Sequence, residues 1–141
     1  MMDDLGKLVL RLSVGGMLLT HGISKAQNFS GTLEFLQGTA EQAGVLANLG
    51  LPAFMAYGVF LGELIAPALL ILGVLPRLSS LAIMATMVVA ILSHTTGENG
   101  TALFSLGGYG GWSFELQGLY LFGALAIFIM GSGAISLYKK F

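Results

Sequence analysis

His21 and Lys25 stand four residues apart, so any helix that carries them puts both on one face. The same spacing joins His94 to Glu98, and Glu115 opens a later apolar run. Glu63 is different in kind. It lies inside "PAFMAYGVFLGELIAPALLILGV" with about 16 Å of apolar helix on either side. A carboxylate there is costly unless it is protonated, paired or wetted, which marks Glu63 as functional. Four residues on, Pro67 has no N–H to offer the Glu63 carbonyl, so a free carbonyl and a carboxyl share one level beside an expected kink. Histidines with carboxylates can relay protons, hydrogen-bond a quinone head group or ligate zinc or iron. No HxxH or HExxH spacing supports a metal, and none is expected. Bis-histidine haem is disfavoured because both histidines fall at one membrane edge.

The elements that must hold these residues are membrane helices. The chain has 141 residues, 55% hydrophobic and only 9% charged, against about 25% charged in ordinary soluble domains. A net charge of −1 gives no basic face for nucleic acid. The absence of cysteine excludes disulfides, thiolate metal sites and a dithiol relay. Four stretches reach the length and apolarity of a span, at about residues 5–23, 52–74, 76–94 and 114–131. The expected fold is therefore all-α: one transmembrane four-helix bundle filling residues 1–141 as a single domain, with outer loops at about 24–51 and 95–113. Cleavage of the first span as a leader is the lesser reading, since it would strip away His21.

Four spans place both termini on one side. Lys7, Arg11, Arg77, Lys139 and Lys140 share that side against Lys25 alone on the other, so both termini are expected in the cytoplasm. Arg11 either snorkels to the inner headgroups or satisfies a polar group within the bundle. In the first outer loop Leu33, Leu36, Ala40 and Ala43 recur at helical spacing and predict a short surface helix. The second is glycine-rich, lacks the spacing of a phosphate loop, and carries Tyr109 and Trp112 next to Phe114 as an interfacial aromatic belt. Gly58, Gly62 and Ala66 form a stripe on which a neighbouring helix could pack closely. Ser79, Thr86 and Ser93 form a mildly polar stripe on the third span. Together the polar residues outline an outward-opening cavity with Glu63 as its floor and His21, His94 and Glu115 as its rim. Trp112 stands near the mouth.

The order of these pieces resembles the DoxX family of small four-helix membrane proteins over nearly the whole chain. The first span carries Arg11-Leu12, Gly15, His21-Gly22 and Lys25, matching R-L-x-x-G followed by H-G-x-x-K. The second and third carry "GVFLGELIAPALLILGVLPR", with Glu63, Gly73 and Arg77, then "MATMVVAILSH" ending at His94. Glu115 and the closing "GSGAISLY" complete the likeness. Two places depart from it. Many relatives have a glycine pair where Ala66-Pro67 stands, and many end in S-L-D where this chain has Ser136-Leu137-Tyr138. The first change bears on the kink below Glu63, and the second removes an inner-face carboxylate.

The resemblance implies a bacterial inner (plasma) membrane protein. Some relatives are quinone-linked subunits, including a small subunit of thiosulfate:quinone oxidoreductase, and others are membrane partners in oxidative-stress complexes. The leading expectation is thus a component of a quinone- or quinol-linked redox or oxidative-stress system. It would be an oxidoreductase subunit without a redox centre of its own, using His21, Glu63, His94 and Glu115 for proton transfer or quinone hydrogen bonding. Beyond the lipid bilayer it would need a protein partner or a second copy of itself. The alternatives are a non-enzymatic scaffold that docks a partner through its outer loops, and a small proton-coupled transporter built on Glu63.

Overall fold

The buried residues of the first helix, α1 (Met2–Gln27), are Arg11, Val14, Gly15, Leu18 and Gly22, a single stripe at helical spacing. Asp3 and Asp4 in its first turn and Lys25 in its last suit the helix dipole. The computed structural model describes residues 1–38, 46, 50–95, 105–106, 111 and 113–137, with the backbone alone at 93–94. The described residues are all-α, without strands.

After Asn28 the chain turns into a short helix, α2 (Phe29–Gln37). Leu33 and Leu36 lie on it, while Ala40 and Ala43 fall outside the described residues. Leu36 is buried against Leu46 and Ala56, and Phe29 packs on Phe60 with ring centroids 5.0 Å apart.

The next helix, α3 (Met55–Leu72), is entered through a turn in which the Pro52 carbonyl accepts from Met55 N–H at 3.1 Å. It has three parts: an α segment Met55–Phe60, a π turn Leu61–Ile65 and a second α segment Ala66–Leu72. The Ala66 N–H reaches back five residues to the Leu61 carbonyl. The missing N–H of Pro67 thus follows one widened turn, the usual way a helix absorbs such a defect. Gly73 ends α3 at φ 71, left-handed backbone that a side chain would strain.

Two further apolar helices follow among the described residues: α4 (Pro76–Thr95), with proline at its start, and α5 (Glu115–Met130). Packing runs in a ring, α1 against α3 and α5, and α4 against α3 and α5. Val14, Leu18, Ala66, Leu70, Ile83, Met87, Tyr120, Ala124 and Ile127 meet at its centre.

The exterior is as apolar as the core, and a few polar side chains lie inside. Leu61, Ile65, Leu81, Leu119, Phe122 and Ile129 are exposed, while Arg11, Glu63, Ser79, Ser80 and Thr86 are buried. Met55–Leu72 is long and apolar enough to cross a membrane; Pro76–Leu92 and Glu115–Met130 are shorter apolar helices.

Glycines set the register of α1 on α3. A Cβ on Gly22 would overlap the Glu63 carbonyl, and one on Gly15 would come within 3.0 Å of the Pro67 carbonyl. One on Gly73 would overlap the Arg11 guanidinium. The two helices therefore run antiparallel and in close backbone contact, the arrangement small residues permit between membrane helices. On α4, Thr86 faces Gly62, where any side chain would collide with its hydroxyl.

Candidate functional site

Glu63 sits in the π turn of α3 at 3% exposure. Its carboxylate Oε2 lies 2.5 Å from Nζ of Lys25, which reaches down from the last turn of α1. The two ends of this pair see different surroundings: the Lys25 side chain is 40% exposed and that of Glu63 4%. Such a pair is held by geometry rather than by charge alone, because withdrawing a carboxylate from water consumes much of the Coulomb gain. The close approach that Gly22 allows brings the helices near enough for Lys25 to reach Glu63.

The pair forms part of the wall of a cavity of ≈ 120 Å³. Its polar lining is His21, Lys25, Glu63, Gln117 and Tyr120, and its apolar lining includes Leu18, Met87 and Ala90. All four packed helices contribute. His21 is exposed at the mouth, and its ring meets that of Tyr120 edge to face, with centroids 6.0 Å apart and planes at 79°. A hydroxyl, an amide, an imidazole and an ion pair thus face one small space, enough to orient a polar ring and to exchange a proton with it.

The structure places the expected residues unevenly. His21, Lys25 and Glu63 share the cavity. Glu115 does not line it: as the first residue of α5 it is exposed and directed toward Gly111, while Gln117 and Tyr120 face inward. His94 lies in the last turn of α4, but its side chain is outside the described residues, as is all of Trp112. Gln117 and Tyr120 were missed by sequence reasoning, for their types are ordinary in a span. The signal available was their i, i+3 spacing on the face opposite His21. Glu63 is midway along α3 and level with Gly22, near the C-terminal end of α1. Among the described residues, no three His, Cys, Asp or Glu side chains come together as a metal site would require.

At the other end of α1, Arg11 does not snorkel. It is 1% exposed, its Nη2 donates to the Ile135 carbonyl, and its Nε and Nη1 have no partner among the described residues. The guanidinium is therefore an internal strut under the chain that follows α5. Asp4 holds the same segment by accepting from Ala134 N–H at 2.8 Å. Pro67 is buried below the π turn, and Arg77 is exposed at the start of α4.

The profile of the DoxX family matches residues 6–96, which contain most of α1 and all of α2 to α4, and with them Lys25 and Glu63. The chain is 32% identical over 90 residues to the Bacillus subtilis (strain 168) protein named "Putative oxidoreductase CatD". That match covers 64% of this chain and 60% of the relative, so the chain spans less than two thirds of the curated protein it resembles. No solved structure matches it. A profile match over more than half of the residues, joined to an apolar exterior around buried charge, identifies the chain as a membrane protein that belongs to the DoxX family.

Proposed function

We propose that this protein is the membrane-embedded component of a quinone- or quinol-linked redox system, with the Lys25–Glu63 cavity as its ligand site. In this reading α1, α3, α4 and α5 are the spans of a four-helix bundle in the bacterial inner membrane, with both termini cytoplasmic and the cavity opening outward. The bias of five cations to one supports that orientation.

One observation carries the proposal: an ion pair with a buried carboxylate lines a ring-sized cavity with hydrogen-bonding groups around it. An apolar cavity of about 150 Å³ accepts one benzene ring, so a space of ≈ 120 Å³ open at one side is on the scale of a quinone head group. Tyr120, His21 and Gln117 supply hydrogen bonds to ring oxygens, and Leu18, Met87 and Ala90 supply apolar contact. When bound, a quinone supplies two-electron chemistry coupled to proton uptake. Glu63 holds or releases a proton at its carboxyl, and Lys25 stabilises the charge that remains when the proton has left. His21, exposed at the mouth, links that carboxyl to the outer aqueous phase. Electrons come from a protein partner, docked on the outer surface where Phe35 and Phe54 are exposed. The oxidoreductase name carried by CatD agrees with this chemistry.

The test is equilibrium binding of a short-chain benzoquinone to the full-length protein in nanodiscs, with Glu63→Gln and Tyr120→Phe beside it. Saturable binding that each substitution weakens by about tenfold or more is the expected result, a loss equivalent to one charge-assisted hydrogen bond. Linear partitioning that is identical in all three proteins would sink the proposal.

A further inference from the structure

A second concavity, at the opposite end of the molecule, is independent of the quinone reading. It is a groove of ≈ 400 Å³ between the start of α4 and the last turn of α5, lined by Leu75, Arg77, Leu78, Leu81 and Phe128. Its wall presents no polar surface. Leu78, Leu81 and Phe128 are all exposed, so the groove belongs to the apolar exterior of a membrane protein. Arg77 lines the groove through its aliphatic stem, and its guanidinium stands beside the end of α5: a Cβ on Gly131 would lie 3.9 Å from both Nε and Nη2. Unlike Arg11, this arginine is exposed, and among the described residues its side chain has neither an ion-pair nor a hydrogen-bond partner.

We propose that this groove binds one anionic phospholipid, with its phosphate on Arg77 and an acyl chain against Leu78, Leu81 and Phe128. Charge complementarity selects the occupant. A planar guanidinium offers paired N–H donors to phosphate oxygens, and basic residues between membrane helices are suited to acidic headgroups. A zwitterionic headgroup brings its own cation beside the phosphate and gains less from a second. The carbon-only wall selects a lipid over a free anion, because only a ligand with an apolar tail fills it. From Arg77 to Leu81 α4 rises about 6 Å, which accommodates the first methylenes while the rest of the chain follows the bilayer.

Native mass spectrometry of the full-length protein in a neutral detergent tests this, using phosphatidylglycerol and phosphatidylcholine with identical chains, each with and without inorganic phosphate. Wild type should retain one phosphatidylglycerol with about fivefold preference over phosphatidylcholine, the effect of one cation near an anionic surface. Arg77→Gln should remove the preference, and Leu81→Trp, which fills the groove, should remove retention of both lipids. Lys7→Gln, which alters a cation at the same end but outside the groove, should behave as wild type. Equal retention of the two lipids by wild type would overturn the proposal, as would an unchanged preference in Arg77→Gln. Equal loss in Lys7→Gln and Arg77→Gln would assign the effect to overall charge and overturn the site. Displacement by millimolar inorganic phosphate would assign it to the anion rather than the lipid, again overturning it.

Discussion

Arg11 and Glu63 are both almost wholly withdrawn from the surface, at 1% and 3% exposure, yet they are housed in opposite ways. Glu63 is in direct contact with a partner of opposite charge at the wall of a cavity, with a tyrosine, a histidine and an amide lining the same space. Arg11 faces backbone: the Ile135 carbonyl takes one N–H, Gly73 lies against the guanidinium, and Nε and Nη1 have no partner among the described residues. One charge is kept beside room in which something can change, and the other is walled in where nothing can. The difference separates a charge held for exchange from a charge used as a brace. Burial alone does not distinguish them; the space beside the charge does.

The comparison is most open to attack at Lys25. Lys25→Met leaves the Glu63 carboxylate buried without its cation, and removal of one member of a buried pair costs about 3–5 kcal/mol. Because Lys25 is part-exposed, a loss near the lower end, about 3 kcal/mol, is expected in detergent unfolding. Adding Glu63→Gln should recover most of that loss, since an amide tolerates the site without a counter-charge. A single variant that unfolds like wild type would mean that the pair does not hold Glu63.

Arg11→Met should behave differently. The guanidinium is incompletely paired, and exchange of such a buried ion for an apolar side chain of similar length is near neutral, so stability should stay within about 1 kcal/mol. What should change is the segment after α5, which loses the Ile135 anchor and keeps the Ala134–Asp4 bond. Limited proteolysis around residues 131–137 should therefore accelerate. A loss as large as that of Lys25→Met, with no change in cleavage, would erase the distinction between brace and exchange site.

The smallest effect belongs to Glu115→Gln. The residue is exposed and outside the cavity, so stability should shift by less than about 0.5 kcal/mol and quinone binding should be unchanged. A variant that binds quinone markedly less well would put Glu115 back at the site.

Glu63, His21 and Lys25 were legible in the sequence because each is expensive or out of place in an apolar helix, and the π turn was foreshadowed by Pro67. Tyr120 and Gln117 carried no such flag. An aromatic or an amide near a span end is ordinary, and only the rotation of α5 turns these two inward. That same rotation turns Glu115 outward, a matter its charge could not reveal. What stands opposite Glu63 was not legible for a related reason. Depth was counted along one span, whereas the close contacts at Gly15 and Gly22 decide which part of α1 stands opposite. All-α architecture follows from composition and span length, but the register between helices depends on contacts that a single chain of letters does not display.

The widened turn in α3 has a consequence beyond the lost hydrogen bond at Pro67. One residue more than an α-helix needs shifts everything on one side of it by about 100° relative to the other side. Before the turn, Ala56 looks toward Leu36 and Leu46; after it, Ala66 and Leu70 look into the central core. A continuous rod would have to serve both neighbourhoods in a single phase. The turn lets the two halves of α3 keep separate phases, as two gears on one shaft can be keyed at different angles, and Glu63 sits on the key itself.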